Sequence, residues 1–127
     1  MIKQEEYARR RAQLMRRSGE GSVVIVRAAP ARIRNNDVHY PYRQDSDFLY
    51  LTGFREPEAA LVLISEEEKA VMFCRPRDPE REMWDGAMAG LEGAVEDYGM
   101  DEAHDIAEIS RKLPQMLRDR DRIFYDI

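Results

Sequence analysis

Metal or nucleophilic chemistry in this chain would have to be built around two imidazoles, His39 and His104, and one thiol, Cys74. Asp37 and His39 stand two apart and in a loop could touch one ion, but two ligands make neither a structural nor a catalytic zinc site. His104 lies amid Asp101, Glu102 and Asp105, where solvent exposure beside acids is expected. Cys74 closes the run Val71-Met72-Phe73-Cys74 and reads as a buried small hydrophobe; a single cysteine can close no internal disulfide. Ser22 follows Gly19 and Gly21 but lacks the Lys-Ser/Thr pair that opens a helix in a phosphate loop. No Ser/His/Asp or Cys/His set stands out, so nucleophilic catalysis is not expected.

Composition narrows the partners. Hydrophobic residues make up 43% and charged residues 35%, a balance suited to one compact core under an ionised surface. The longest apolar runs, Val23 to Val26 and Ala59 to Ile64, are far shorter than the roughly 18 residues a membrane span needs. Met1 to Glu6 carries charges where a signal peptide has its apolar region, so a cytoplasmic location is the default expectation. A net charge of −5 argues against a nucleic-acid surface, although residues 1–34 carry +6 and residues 35–127 carry −11. Arg9, Arg10, Arg11, Arg16 and Arg17 could form an anion-binding patch, a solvated helix face or an interdomain contact.

These residues must be placed by ordinary elements. Tyr7, Ala8, Arg11, Leu14 and Met15 recur at helical spacing, with Glu5 and Glu6 in the first turn, and predict a helix over 3–17. Ser22 to Arg27 reads as an interior strand. Pro30 then takes the chain out of the sheet, and Asn35-Asn36-Asp37 supplies a turn. Phe48 to Thr52 and Ala60 to Ile64 read as strands separated by Gly53 and the Glu56-Pro57-Glu58 turn. Lys69 to Arg75 closes an antiparallel hairpin with the second of these. Asp78-Pro79 starts a short helix that ends at Gly86, with Asp as N-cap and Pro at the first helical position. Gly86 to Met100 predicts a surface loop with one helical turn around Val95 to Tyr98. Ile106, Ile109, Leu113, Met116 and Leu117 mark a second long helix with Pro114 inside it, and Arg122 to Tyr125 reads as a last strand. The order predicts an α/β domain: a mixed sheet flanked by helices.

The fifteen residues Tyr40-Pro41-Tyr42-Arg43-Gln44-Asp45-Ser46-Asp47-Phe48-Leu49-Tyr50-Leu51-Thr52-Gly53-Phe54 are similar to the most recognisable stretch of the aminopeptidase P N-terminal domain. Glu56-Pro57-Glu58-Ala59 extends the match, as do Glu5-x-Tyr7-x-Arg9-Arg10-Arg11 and Glu82-Met83-Trp84-Asp85-Gly86, so that the likeness covers nearly the whole chain. The residues of the segment read as fold and interface: Pro41 biases Tyr40 to extended backbone, the aromatics supply apolar area, and Gly53 permits a tight turn.

The resemblance implies a three-layer-type, ribonuclease H-like fold, the creatinase/prolidase N-terminal domain, spanning 1–127. It implies a parent Xaa-Pro aminopeptidase acting on peptides with proline at position 2. Two divalent metals, usually manganese, would be held by carboxylates and a histidine in a C-terminal pita-bread domain that lies beyond residue 127. The partners so implied are that catalytic domain, a homo-oligomer of the parent and the peptide substrate. No catalytic residue, metal ligand or bound cofactor is expected in these residues. Trp84 matches a family tryptophan that reaches toward a neighbouring subunit's active site and helps close the substrate cleft; from residue type and context alone it reads more readily as a core plug. Asp37 matches a family aspartate near the catalytic-domain boundary, ordering the cleft entrance, and reads otherwise as a turn aspartate. Ala87-Met88-Ala89 departs from the pattern, since many members carry arginines there. The alternative to a piece of an exopeptidase is a stand-alone protein- or peptide-binding module of the same fold. Prolidase and creatinase share the two-domain plan, but the Tyr40 to Phe54 likeness favours aminopeptidase P.

Overall fold

The computed structural model describes residues 3–28 and 46–125. Two strands of unbroken apolar residues, β1 (Ser22–Arg27) and β2 (Ala60–Ile64), lie side by side antiparallel in the middle of a sheet. A tight turn joins β2 to β3 (Lys69–Cys74), again antiparallel, with Val62 opposite Val71. Two short parallel strands complete the sheet, β4 (Glu102–Asp105) beside β3 and β5 (Arg122–Tyr125) beside β1. The order is β4-β3-β2-β1-β5, and the sheet is mixed.

Because side chains alternate along a strand, both faces of this sheet are apolar and both need covering. On one face Val24, Val26, Leu61, Leu63, Met72 and Cys74 pack under α1 (Gln4–Ser18), α2 (Ser46–Thr52) and α4 (Gly90–Glu96), meeting Met15, Phe48, Leu51, Phe54 and Ala94. On the other face Val23, Ile25, Val62, Ile64, Val71 and Phe73 are covered by Ile106 in a 3-10 turn (Ile106–Glu108) and by Ile109, Leu113, Met116 and Leu117 of α5 (Ile109–Leu117). The sheet thus lies between two helical layers in a single α/β domain, as the alternation of elements predicted.

α1 is fastened to the rest by a buried cation. Arg11 is 3% exposed. Its guanidinium donates to the Leu51 carbonyl at 2.9 Å, and to the Tyr98 and Gly99 carbonyls at 3.5 Å each. Burial pulls the Arg11 pKa down and the nearby Asp101 carboxylate opposes that. Arg10 lies over the Tyr50 ring at 4.1 Å and donates to the Tyr50 carbonyl at 3.0 Å. Between them Gly53 has φ +69°, and a Cβ there would collide with the Tyr7 ring. Only glycine fits that close approach of α1 to the end of α2.

Three expectations are corrected. Phe48 to Thr52 forms the helix α2, not a strand: Phe48, Leu51 and Thr52, spaced three and four apart, are buried while Tyr50 is 55% exposed. The Gly86 to Met100 stretch holds a two-turn helix, α4, whose Gly90, Gly93 and Ala94 are buried. β4 is a strand where none was predicted, and its His104 is half-buried, with its ring 5.5 Å from that of Phe73.

Candidate interface around Trp84

α3 (Pro79–Asp85) is built from its caps. The Asp78 carboxylate accepts from the Glu80 and Arg81 amides at 3.1 and 3.5 Å, and Pro79 takes a first-turn position where its missing N–H costs nothing. At the other end Gly86 N–H donates to the Glu82 carbonyl at 3.1 Å with φ 92°. Its described side chains include no buried one, and its two large apolar residues, Met83 and Trp84, are 80% and 87% exposed. The core-plug reading of Trp84 is therefore overturned: with Glu80, Arg81 and Glu82 around it, this short helix has no apolar stripe to turn toward the sheet.

Polar contacts tie α3 and its following loop to the body. Arg77 and Glu82 meet through two parallel bonds, Nε to Oε1 at 3.0 Å and Nη2 to Oε2 at 3.1 Å. Glu82 Oε1 also accepts from the Met88 amide at 3.0 Å, and Glu56 Oε2 accepts from the Ala89 amide at 2.8 Å. The bond from Arg77 and that from the Met88 amide hold the Glu82 pKa down. Neither Glu82 nor Glu56 was singled out from the sequence. The one available signal was that both lie in the segments carrying the resemblance.

The remaining candidates scatter. Asp37, His39 and residues 40–45 lie outside the described residues. His104 Nε2 is 3.0 Å from Glu102 Oε1 and its Nδ1 is 3.4 Å from Lys112 Nζ, which makes it a link between β4 and α5 rather than an exposed side chain. Cys74 is buried as expected, with its thiol pushed up to about 12, chiefly by burial. The arginine-rich stretch does not form one patch: Arg11 is interior, while Arg9 and Arg10 both pair with Glu6. Among the described residues no three His, Cys, Asp or Glu side chains come together in a way that could hold a metal ion. No helix among them is long and apolar enough to cross a membrane.

Comparison with known proteins agrees with this architecture. The family described as "Aminopeptidase P, N-terminal domain" matches residues 7–125. The chain is 39% identical to Xaa-Pro aminopeptidase 3 of Homo sapiens, over 98% of this chain and 27% of that protein. It superposes on aminopeptidase PepP of Pseudomonas aeruginosa with a TM-score of 0.90 at 52% identity, covering 99% of this chain and 29% of that one. A zinc-substituted Escherichia coli aminopeptidase P in complex with product gives 0.88 at 42% identity, covering 96% of this chain and 28% of that one. The chain thus spans little more than a quarter of the relatives it matches. Sheet order, helical layers and sequence likeness agree across nearly its whole length, and the chain belongs to the family of aminopeptidase P N-terminal domains.

Proposed function

We propose that the chain is the non-catalytic N-terminal domain of a metal-dependent Xaa-Pro aminopeptidase, a cytoplasmic homo-oligomer that releases the N-terminal residue preceding proline. Residues 1–127 supply oligomer contacts and a wall of the substrate cleft, and a pita-bread catalytic domain of the same parent holds two divalent metals, manganese in this reading. Support for the activity comes from the relatives' names, and support for a divalent metal from the zinc-substituted Escherichia coli enzyme. The described residues bring no ligand set together, so no metal-assisted step is assigned to them. Asp37 belongs, in this reading, at the cleft entrance.

One observation carries the domain's role: Trp84, beside Met83, is 87% exposed on a helix with no described side chain in the core. Large adjacent apolar side chains left in water mark a contact surface, and an indole is the side chain best suited to cover apolar substrate and exclude solvent. In the parent enzyme Trp84→Ala should lower kcat/KM by the equivalent of about 1–3 kcal/mol with metal content unchanged. Because the ring is exposed, the melting temperature should stay put. Full activity in the variant, or a steep fall in melting temperature, contradicts this reading.

A further inference from the structure

A large side chain that works by reaching outward needs a fixed base, and apolar packing does not supply one here, since α3 has no described side chain in the core. What does hold it is a pair of carboxylates on consecutive amides. Glu82, from α3 itself, accepts from Met88 N–H at 3.0 Å; Glu56, from the loop before β2, accepts from Ala89 N–H at 2.8 Å. Each carboxylate is backed by a cation, Glu82 by the two-bond fork of Arg77 and Glu56 by Arg75 Nη2 at 3.6 Å. Gly90, with φ +71°, leaves room for the Arg77 stem, which any Cβ would strike. Between the two bonded amides the Met88 side chain is buried, so the loop is pinned at one point by packing and on both sides by charge-assisted bonds.

Resting on the reading of Trp84 as a cleft residue, we propose that Glu82 and Glu56 are positioning residues that clamp the loop after α3 and so set where Trp84 is presented. Neither touches substrate; they act through the backbone on the indole. Hydrogen exchange in the chain reads the clamp directly. Glu82→Ala and Glu56→Ala should each speed exchange of the amide they hold, Met88 and Ala89 respectively, by about tenfold or more, the factor expected when a bond to a charged acceptor is lost. Glu82→Gln and Glu56→Gln keep an acceptor oxygen and should restore much of the protection. In the parent enzyme Glu82→Ala should lower kcat/KM when Trp84 is present and leave it unchanged in a Trp84→Ala background, the non-additivity of residues acting through one another. Unchanged exchange in both alanine variants, or an equal kinetic loss with and without Trp84, overturns the proposal. A Trp84→Ala enzyme with unchanged kinetics sinks the cleft reading instead, and the exchange result still decides the clamp.

Discussion

The two faces of the sheet bury similar strands under unequal cover. Beneath α1, α2 and α4 the partners are themselves interior: Phe48, Phe54 and Ala94 are fully buried, and Arg11 spends a guanidinium on tying three carbonyls together. Beneath α5 the strands are as well buried, but α5 has no fully buried residue, carries Pro114 within its nine residues, and leads to β5, all four of whose residues are exposed. The difference locates stability on the first face. It also leaves the second face, with the β5 edge, as the part of the domain whose cover is thin.

Paired truncations turn this into a measurement. Phe54→Ala removes a ring packed edge-on to Phe48 and Tyr98 at 6.3 and 5.0 Å and should cost about 3–5 kcal/mol of unfolding free energy. Leu113→Ala on α5 removes a half-buried side chain and should cost about 1–2 kcal/mol, below the range for fully buried leucines. Denaturant titration of both variants checks the ranking. Equal losses would show that the two faces fold as one equally packed unit.

The smallest expected effect lies at the β4 edge and depends on pH. Glu102 pairs with Lys69 Nζ at 2.6 Å and with His104 at 3.0 Å. The Lys69 bond first and then the His104 bond hold its pKa below the ordinary 4.5, while the Lys69 ammonium is raised above 10.5 by the same partner. A depressed carboxylate contributes stability that is present above its unfolded pKa and lost as pH falls through its folded one. A raised ammonium contributes below its unfolded pKa and loses that as pH rises through its folded one. The pair is therefore fully effective between about 4.5 and 10.5 and fades below 4.5. Glu102→Gln should lower the melting temperature slightly at pH 7, by the equivalent of under about 1 kcal/mol for so exposed a pair, and flatten the fall below pH 4.5. A Glu102→Gln chain with an unchanged acid limb would remove Glu102 from the account of that face.

Sequence and structure part company where apolar pattern was short or absent. The three central strands were legible because β-branched and aliphatic runs bounded by turns have few other uses, and α1 because its spacing and terminal charges agree. Phe48 to Thr52 misled because aromatics and threonine favour strands, and five residues cannot separate a period of two from one of 3.6. β4 was invisible because Glu102, His104 and Asp105 carry no strand signature; the strand exists because β3 offers an edge. At the candidate site, Trp84 and its motif were legible, but its exposure was not, since a lone tryptophan is usually placed inward. Glu56 was hidden for a simpler reason: a carboxylate bonding an amide 33 residues away leaves no local pattern. Glu82 was hidden because its bond to the Met88 amide, six residues on, runs from a helix into the loop beyond it and has no fixed spacing to mark it.

The central proposal, which rests on the family resemblance at Trp84, is that its indole serves a neighbouring subunit, and mixing subunits of the parent enzyme tests it most directly. One partner carries Trp84→Ala, and the other keeps Trp84 but has its metal ligands removed, so that each alone is impaired. If Trp84 acts across the interface, hetero-oligomers should recover activity, because the intact indole of the metal-free subunit can complete the cleft of its metal-bearing neighbour. Hetero-oligomers that form and yet show no more activity than the Trp84→Ala enzyme alone would contradict the account.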